Sequence, residues 1–278
     1  MGSSSNQTRG QTSQHSFGID LAHDFGGAIL FSIPLLMTME MWWLGFHMDR
    51  SRLALFLVLA LIMVIGLSYL EGREEAFKIE MMDAFVAYAA GYVVAAVMLF
   101  LFGIIKPGMS LDEIAGKISL HAVPCAIGAI LARKQLDVQE TNKEARRREG
   151  YGAKIFLMGV GAIFLAFQLA PTEEMVLIGH QMSGWHAAAL VIVSVSVMQA
   201  FLSSIEIREQ EREFSADLFW RVFFRFTAAG YAIALVLSAY VLWTFGRLEG
   251  AAVEEVVMST IVLGFPAALG ASAARLIL

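Results

Sequence analysis

The chain has 278 residues, 58% of them hydrophobic and 16% charged, with a formal net charge of −5. Soluble domains are about half apolar and a quarter charged, so a soluble globular class is excluded. A single cysteine, Cys125, excludes an internal disulfide and any multi-cysteine metal site, and it lies in an apolar run where it reads as a packing residue.

The apolar excess comes in blocks of about 18 to 25 residues, the length that spans a ~30 Å hydrocarbon layer. An all-α polytopic membrane protein of about eight transmembrane helices follows. Residues 1–24 read as a disordered, Ser/Gln/Thr-rich start and an inner interfacial segment, without a cleavable-signal pattern. The spans read as Phe25–Phe46, Leu53–Leu70, Ala84–Ile105 (closed by Lys106-Pro107-Gly108) and Ile114–Ala132. A charged linker, 134–152, precedes four more: Ala153–Ala170, His186–Ile205, Trp220–Phe245 and Val253–Leu276. The fourth span is the least regular, because Lys117, Ser119, His121 and Pro124 suit a position inside protein better than lipid. With the N-terminus inside, only Arg50, Arg52, Lys106, Lys117 and Arg247 of the 20 Lys and Arg fall on outer segments, which puts both termini in the cytoplasm. Arg225 then sits within the seventh span, where it either snorkels inward or is buried against a carboxylate.

The halves 25–133 and 153–278 resemble one another. Pro124–Arg133 aligns with Pro266–Arg275 without a gap, Ala89–Tyr92 recurs as Ala228–Tyr231, and Glu71-Gly-Arg73-Glu74 recurs as Glu206-Ile-Arg208-Glu209. Asp112-Glu113 matches Glu254-Glu255, and Glu40…His47 matches Glu173…His180 with the same spacing. The order of the matches implies a duplication. Four spans per half make the repeats parallel, with their axis along the membrane normal, and a homo-oligomer of doubled pseudo-symmetry is expected.

Phe31–Met48, FSIPLLMTMEMWWLGFHM, is the most unusual stretch. Read as one helix, it places Glu40 about fifteen residues in, at the outer third of the bilayer by the ~1.5 Å rise per residue. An ionised carboxylate there costs a few kcal/mol unless paired or hydrated, so it is a functional candidate. Glu173 and Glu174 sit at the matching level. Glu40, Glu173 and Glu174 are therefore the expected outer ion-binding or pore residues, and Glu71 with Glu206 the inner ones; acidic rings favour cations. The bland alternative is that these groups are solvated helix extensions or pair with Arg50 or Arg52. His47 and His180 are possible pH sensors, or simply interfacial residues. Pro124, Gly128, Pro266 and Gly270 are hinge candidates, or kinked close-packing points. Met37, Met39, Met41 and Met48 face different sides of a helix, so no metal site is expected. No cofactor motif, nucleophile elbow or nucleic-acid site is recognised, so an enzyme is not expected, and the basic linker touches anionic lipid instead.

Leu30–Gly45, with its Glu40-x-Trp42-Trp43 centre, resembles a family of bacterial integral membrane proteins known only by a domain of unknown function. The resemblance covers most of the chain and implies residence in a bacterial inner membrane, with no established activity. The expected partners are the lipid bilayer and an inorganic cation. The expected function is cation transport, by a channel or an ion-coupled carrier. The alternative is a non-transporting sensor or scaffold.

Overall fold

The computed structural model describes residues 25–26, 28–29, 32–71, 77–137, 150–210 and 216–277. Within these, side chains at 70–71, 77–80, 83, 132–137, 206–210, 216–218 and 276–277 are not described. The expected disordered start and most of the charged linker fall outside these residues, as do the side chains of Glu71 and Glu206. The described chain is helical and contains no strand. Helices are α1 (Met39–His47), α2 (Arg50–Glu71), α3 (Phe77–Leu101), α4 (Leu111–Asp137), α5 (Tyr151–Leu169), α6 (Glu174–Gln181), α7 (Gly184–Gln210), α8 (Ala216–Val222), α9 (Ala228–Thr244) and α10 (Val253–Ile277). A π-helical turn, Phe223–Thr227, joins α8 to α9.

Seven segments among the described residues are long and apolar enough to cross a membrane. They are Arg50–Tyr69, Ala84–Leu101, Leu111–Leu131, Tyr151–Leu169, Gly184–Ile205, Phe219–Thr244 and Val253–Arg275. Val58, Ile62, Phe100, Phe224 and Val236 stay exposed on them, as lipid-facing side chains do. Leu111–Leu131 differs, with 72% of its apolar window buried in protein. That burial accounts for the polar residues that make this span irregular in sequence.

The expected first span, Phe25–Phe46, is not one continuous helix. Its helical residues 32–36 end in a turn at Met37, and α1 begins afresh at Met39. The Thr38 hydroxyl donates to the Pro34 carbonyl at 2.6 Å, satisfying an acceptor that the interrupted helix leaves open. The same device recurs after α5. Pro171 cannot continue the helix, and the Thr172 hydroxyl donates to the Leu169 carbonyl at 2.9 Å. Glu40 therefore stands in the first turn of a short helix, not deep in a long one.

The chain divides into two compact units, Met1–Thr38 with Leu57–Gln139 and Met39–Phe56 with Glu140–Leu278. In the first, α3 packs against α4. Gly91 makes this possible: a Cβ there would lie 2.7 Å from the Ala122 carbonyl oxygen. In the second, α10 is the central helix and packs against α5, α7, α9 and α6. Its Gly270 backbone meets that of Gly161 on α5, and a Cβ on either would strike the other's carbonyl. Ser259 of α10 leaves no room for a Cβ on Gly179 of α6, the nearest atom being 2.9 Å away. Gln199 of α7, buried, donates to Ser203 Oγ at 3.0 Å and to the Phe219 carbonyl at 3.1 Å, and accepts from Thr227 at 2.5 Å. That amide satisfies polar groups around the π turn, where hydrogen bonding departs from the α-helical ladder. Arg225, in the same turn, is exposed and lies over the Tyr151 ring at 5.3 Å, so it is not buried on a carboxylate.

Candidate functional site

The second unit carries a cleft of about 440 Å³ lined by Met39, Glu40, Trp43, Leu44, His47, Glu173 and Arg247. Each part is placed by a local rule. Arg247 follows a Schellman ending of α9. Gly246 takes φ +71°, its N–H reaches the Trp243 carbonyl at 3.0 Å, and the Arg247 N–H reaches the Leu242 carbonyl at 2.9 Å. The arginine is thereby fixed at the second position past the C-cap residue Phe245. Its side chain is about one-fifth exposed. Nη2 donates to the Pro171 carbonyl, Nη1 lies 3.9 Å from Glu173 Oε1, and Nε is buried without a hydrogen-bond partner.

The opposite wall is α1. Asp49 caps the start of α2, accepting from the Ser51 hydroxyl and from the backbone N–H of Ser51 (2.9 Å) and Arg52 (3.2 Å). The Ser51 hydroxyl first, then the two amides, hold its carboxyl below the ordinary carboxylate range. Arg52 projects from that turn, donates to the Trp243 carbonyl at 3.0 Å, pairs with Glu249 at 2.6 Å and covers the Trp243 ring at 4.9 Å. Phe56 stacks on Phe167 at 5.1 Å, and Phe245 closes on Phe167 at 5.2 Å. These contacts pin the α1–α2 corner to the end of the second unit. On α1 the buried faces are Met41 and Gly45. Glu40, half-buried, and His47, exposed, line the cleft with Trp43, whose ring stacks on His47 at 5.3 Å.

The cleft therefore gathers two carboxylates, one guanidinium, one imidazole and aromatic surface. Glu40 and Glu173 both line it, whereas Glu174 is not among the lining residues. Glu173 is widely exposed, at 83% of its side chain. His47 lines the cleft, while His180 pairs with Glu255 at 3.1 Å, an ion pair only when the histidine is protonated. Pro124 and Pro266 lie inside unbroken helices α4 and α10. Gly270 is a packing contact, and Gly128 lies in the buried stretch of α4. Among the described residues, no group of three or more His, Cys, Asp or Glu is arranged to hold a metal ion.

Sequence reasoning passed over two features. In the sequence Arg247 reads only as an outer charge, and Gly246 is the local signal that places it. The second feature is in the first unit, where Glu113, Lys117 and His121 lie on one face of α4. Lys117 pairs with Glu113 at 2.5 Å, and the His121 Nδ1 donates to the Lys117 carbonyl at 2.8 Å.

Element boundaries also shift the match between halves at this point. Thr38 aligns with Thr172, the buried Met41 and Gly45 with the buried Met175 and Gly179, and the start of α2 with that of α7. Glu40 then corresponds to Glu174, not to Glu173.

Comparison with curated proteins and with solved structures returns no match. The family described as "Putative integral membrane protein (DUF2391)" matches residues 20–278, nearly the whole length, and the chain belongs to that family of integral membrane proteins.

Proposed function

We propose that the protein transports cations across the membrane, as a channel or an ion-coupled carrier, and that the cleft between Glu40 and Glu173 is its outer cation site. The observation that carries this is convergence. Two glutamates from segments remote in sequence line one cleft of about 440 Å³, large enough for a hydrated ion. Arg247 sets the resting state, because its guanidinium lies near Glu173 and is tethered to the Pro171 carbonyl. A cation entering between the carboxylates replaces that partner, so binding and arginine displacement are coupled. We place the protein in a bacterial inner membrane with both termini cytoplasmic, as a homo-oligomer of chains that each arose by duplication. Glu71 and Glu206 complete the proposal as an inner acidic site.

The test is cation flux into liposomes containing the full chain. Glu40→Gln and Glu173→Gln should each lower flux by on the order of tenfold, equivalent to about 1.4 kcal/mol of lost cation interaction. Glu174→Gln should leave it nearly unchanged. Flux that survives Glu40→Gln removes this cleft from the mechanism, and absence of flux in the parent protein supports the sensor or scaffold reading instead.

A further inference from the structure

The α4 face in the first unit has a different chemistry from the cleft. Glu113, Lys117, His121 and Cys125 follow one another at four-residue spacing and so form a single stripe on the helix. Exposure falls along it. The Glu113 side chain is 22% exposed and that of Lys117 10%, while His121 and Cys125 are fully buried. Ser110 accepts from the Glu113 N–H at 3.2 Å and fixes the outer end. His121 Nδ1 contacts the Lys117 carbonyl, an acceptor only, so this nitrogen carries the proton. In the neutral ring Nε2 then presents a lone pair. The Leu35 carbonyl lies beside the ring as an acceptor, while Nε2 is buried and makes no hydrogen bond of normal distance and angle.

Packing does not require a histidine here. The gapless match of Pro124–Arg133 with Pro266–Arg275, carried upstream, sets Glu113 against Glu255, Lys117 against Ser259, His121 against Leu263 and Cys125 against Ala267. Leu263 is as fully buried as His121. An apolar side chain thus fills the corresponding position in the other half, where only the outer glutamate is retained. A buried imidazole with an open acceptor, beneath a neutralised ion pair, is the arrangement a membrane protein uses for a mobile proton.

We propose that the Glu113–Lys117–His121 face of α4 is a proton inlet from the outer surface, and that His121 Nε2 is the group that receives the proton. The Glu113 carboxylate compensates the Lys117 ammonium, so the pair adds no net charge beside the incoming proton. The proton binds the Nε2 lone pair and gives an imidazolium whose Nδ1–H stays on the Lys117 carbonyl. Release of the same proton restores the neutral ring. The other described titratable side chains on the two packed helices are Asp112 and Cys125 on α4 and Tyr88 and Tyr92 on α3; the helical stretch 32–36, which reaches α4 through Ser32 and Leu35, carries no titratable side chain. The inlet lies wholly in the first unit and does not rest on the cation cleft.

Two measurements on the full chain decide it. Nitrogen NMR of isotope-labelled histidine in nanodiscs should show Nε2 of His121 gaining a proton as the pH is lowered stepwise from about 8 to 3. The signal is assigned by its loss in His121→Leu. In liposomes, proton uptake driven by a potassium diffusion potential should fall in His121→Leu to the level of protein-free vesicles, with thermal unfolding unchanged because Leu263 shows that leucine packs at this register. Glu40→Gln should leave proton uptake intact. An Nε2 that stays unprotonated across that window, or uptake that persists in folded His121→Leu, overturns the inlet. Loss of cation flux in Glu40→Gln with normal proton uptake would separate the two sites.

Discussion

At the scale of single residues, the chemistry depends on where a side chain is held more than on its type. Asp49 is a plain example. It is fully exposed, yet the Ser51 hydroxyl and two backbone amides depress its carboxyl. A depressed folded-state value stabilises above the unfolded value, and the contribution is lost as pH falls through the folded one. The start of α2 should therefore loosen in acid, below the ordinary carboxylate range, and not near neutrality. Faster amide exchange at Ser51 and Arg52 as pH drops below about 4 is the expected signature, after correction for intrinsic exchange, and Asp49→Ala should give the loosened state at all pH values. Glu40 and Glu173 were legible as membrane-zone carboxylates, but their shared cleft was not, since it depends on Arg52, Phe56 and Phe245 fixing α1. His121 was visible only as an irregularity in the fourth span, because a sequence does not reveal that Nε2 is left without a partner.

At the scale of elements, the break in the first predicted span is the main departure. Hydropathy adds up apolar residues along Phe25–Phe46 and cannot register that the backbone turns at Met37–Thr38. Pro34 stands three residues before that turn and Pro171 just past α5, but the two prolines do not align between the halves. Helix contacts in the second unit depend on glycines in the same way. A Cβ on Gly161 would meet the Gly270 carbonyl and the Ala274 side chain, whereas one on Gly159 would meet only Ile233 and Leu237 at 3.8 Å. Gly161→Ala should cost about 1–3 kcal/mol, the usual range for overpacking against atoms that cannot move aside. Gly159→Ala should be close to neutral. Thermal unfolding in detergent compares the two. Both glycines are equally plain in the sequence, and only the packing of α5 on α10 tells them apart.

At the scale of the molecule, two halves of shared pattern differ in what they hold. In both, the helix before the last one, α3 and α9 respectively, ends in the same Schellman motif, with Gly103 at φ +68° and Gly246 at φ +71°. The following residue is Ile104 in one and Arg247 in the other, so the corresponding loop of the first half lacks the cleft's guanidinium. The proton stripe shows the converse division. Orientation is testable with cysteine labelling, since Cys125 is buried and can be replaced. In a Cys125→Ala background, Glu249→Cys should react with a membrane-impermeant maleimide on intact cells, and Gly150→Cys only after permeabilisation. The reverse pattern would invert the topology and move the cleft to the cytoplasmic face. The sequence by itself determined the all-helical membrane class and most spans, because burying backbone polar groups in lipid demands long apolar helices. It also carried the recurrent motifs and the carboxylates worth examining. The tertiary structure alone decided that α1 joins the second unit, that Arg247 stands between Pro171 and Glu173, and that His121 is sealed from solvent. Those outcomes depend on contacts between segments remote in the chain, which neither hydropathy nor local spacing encodes.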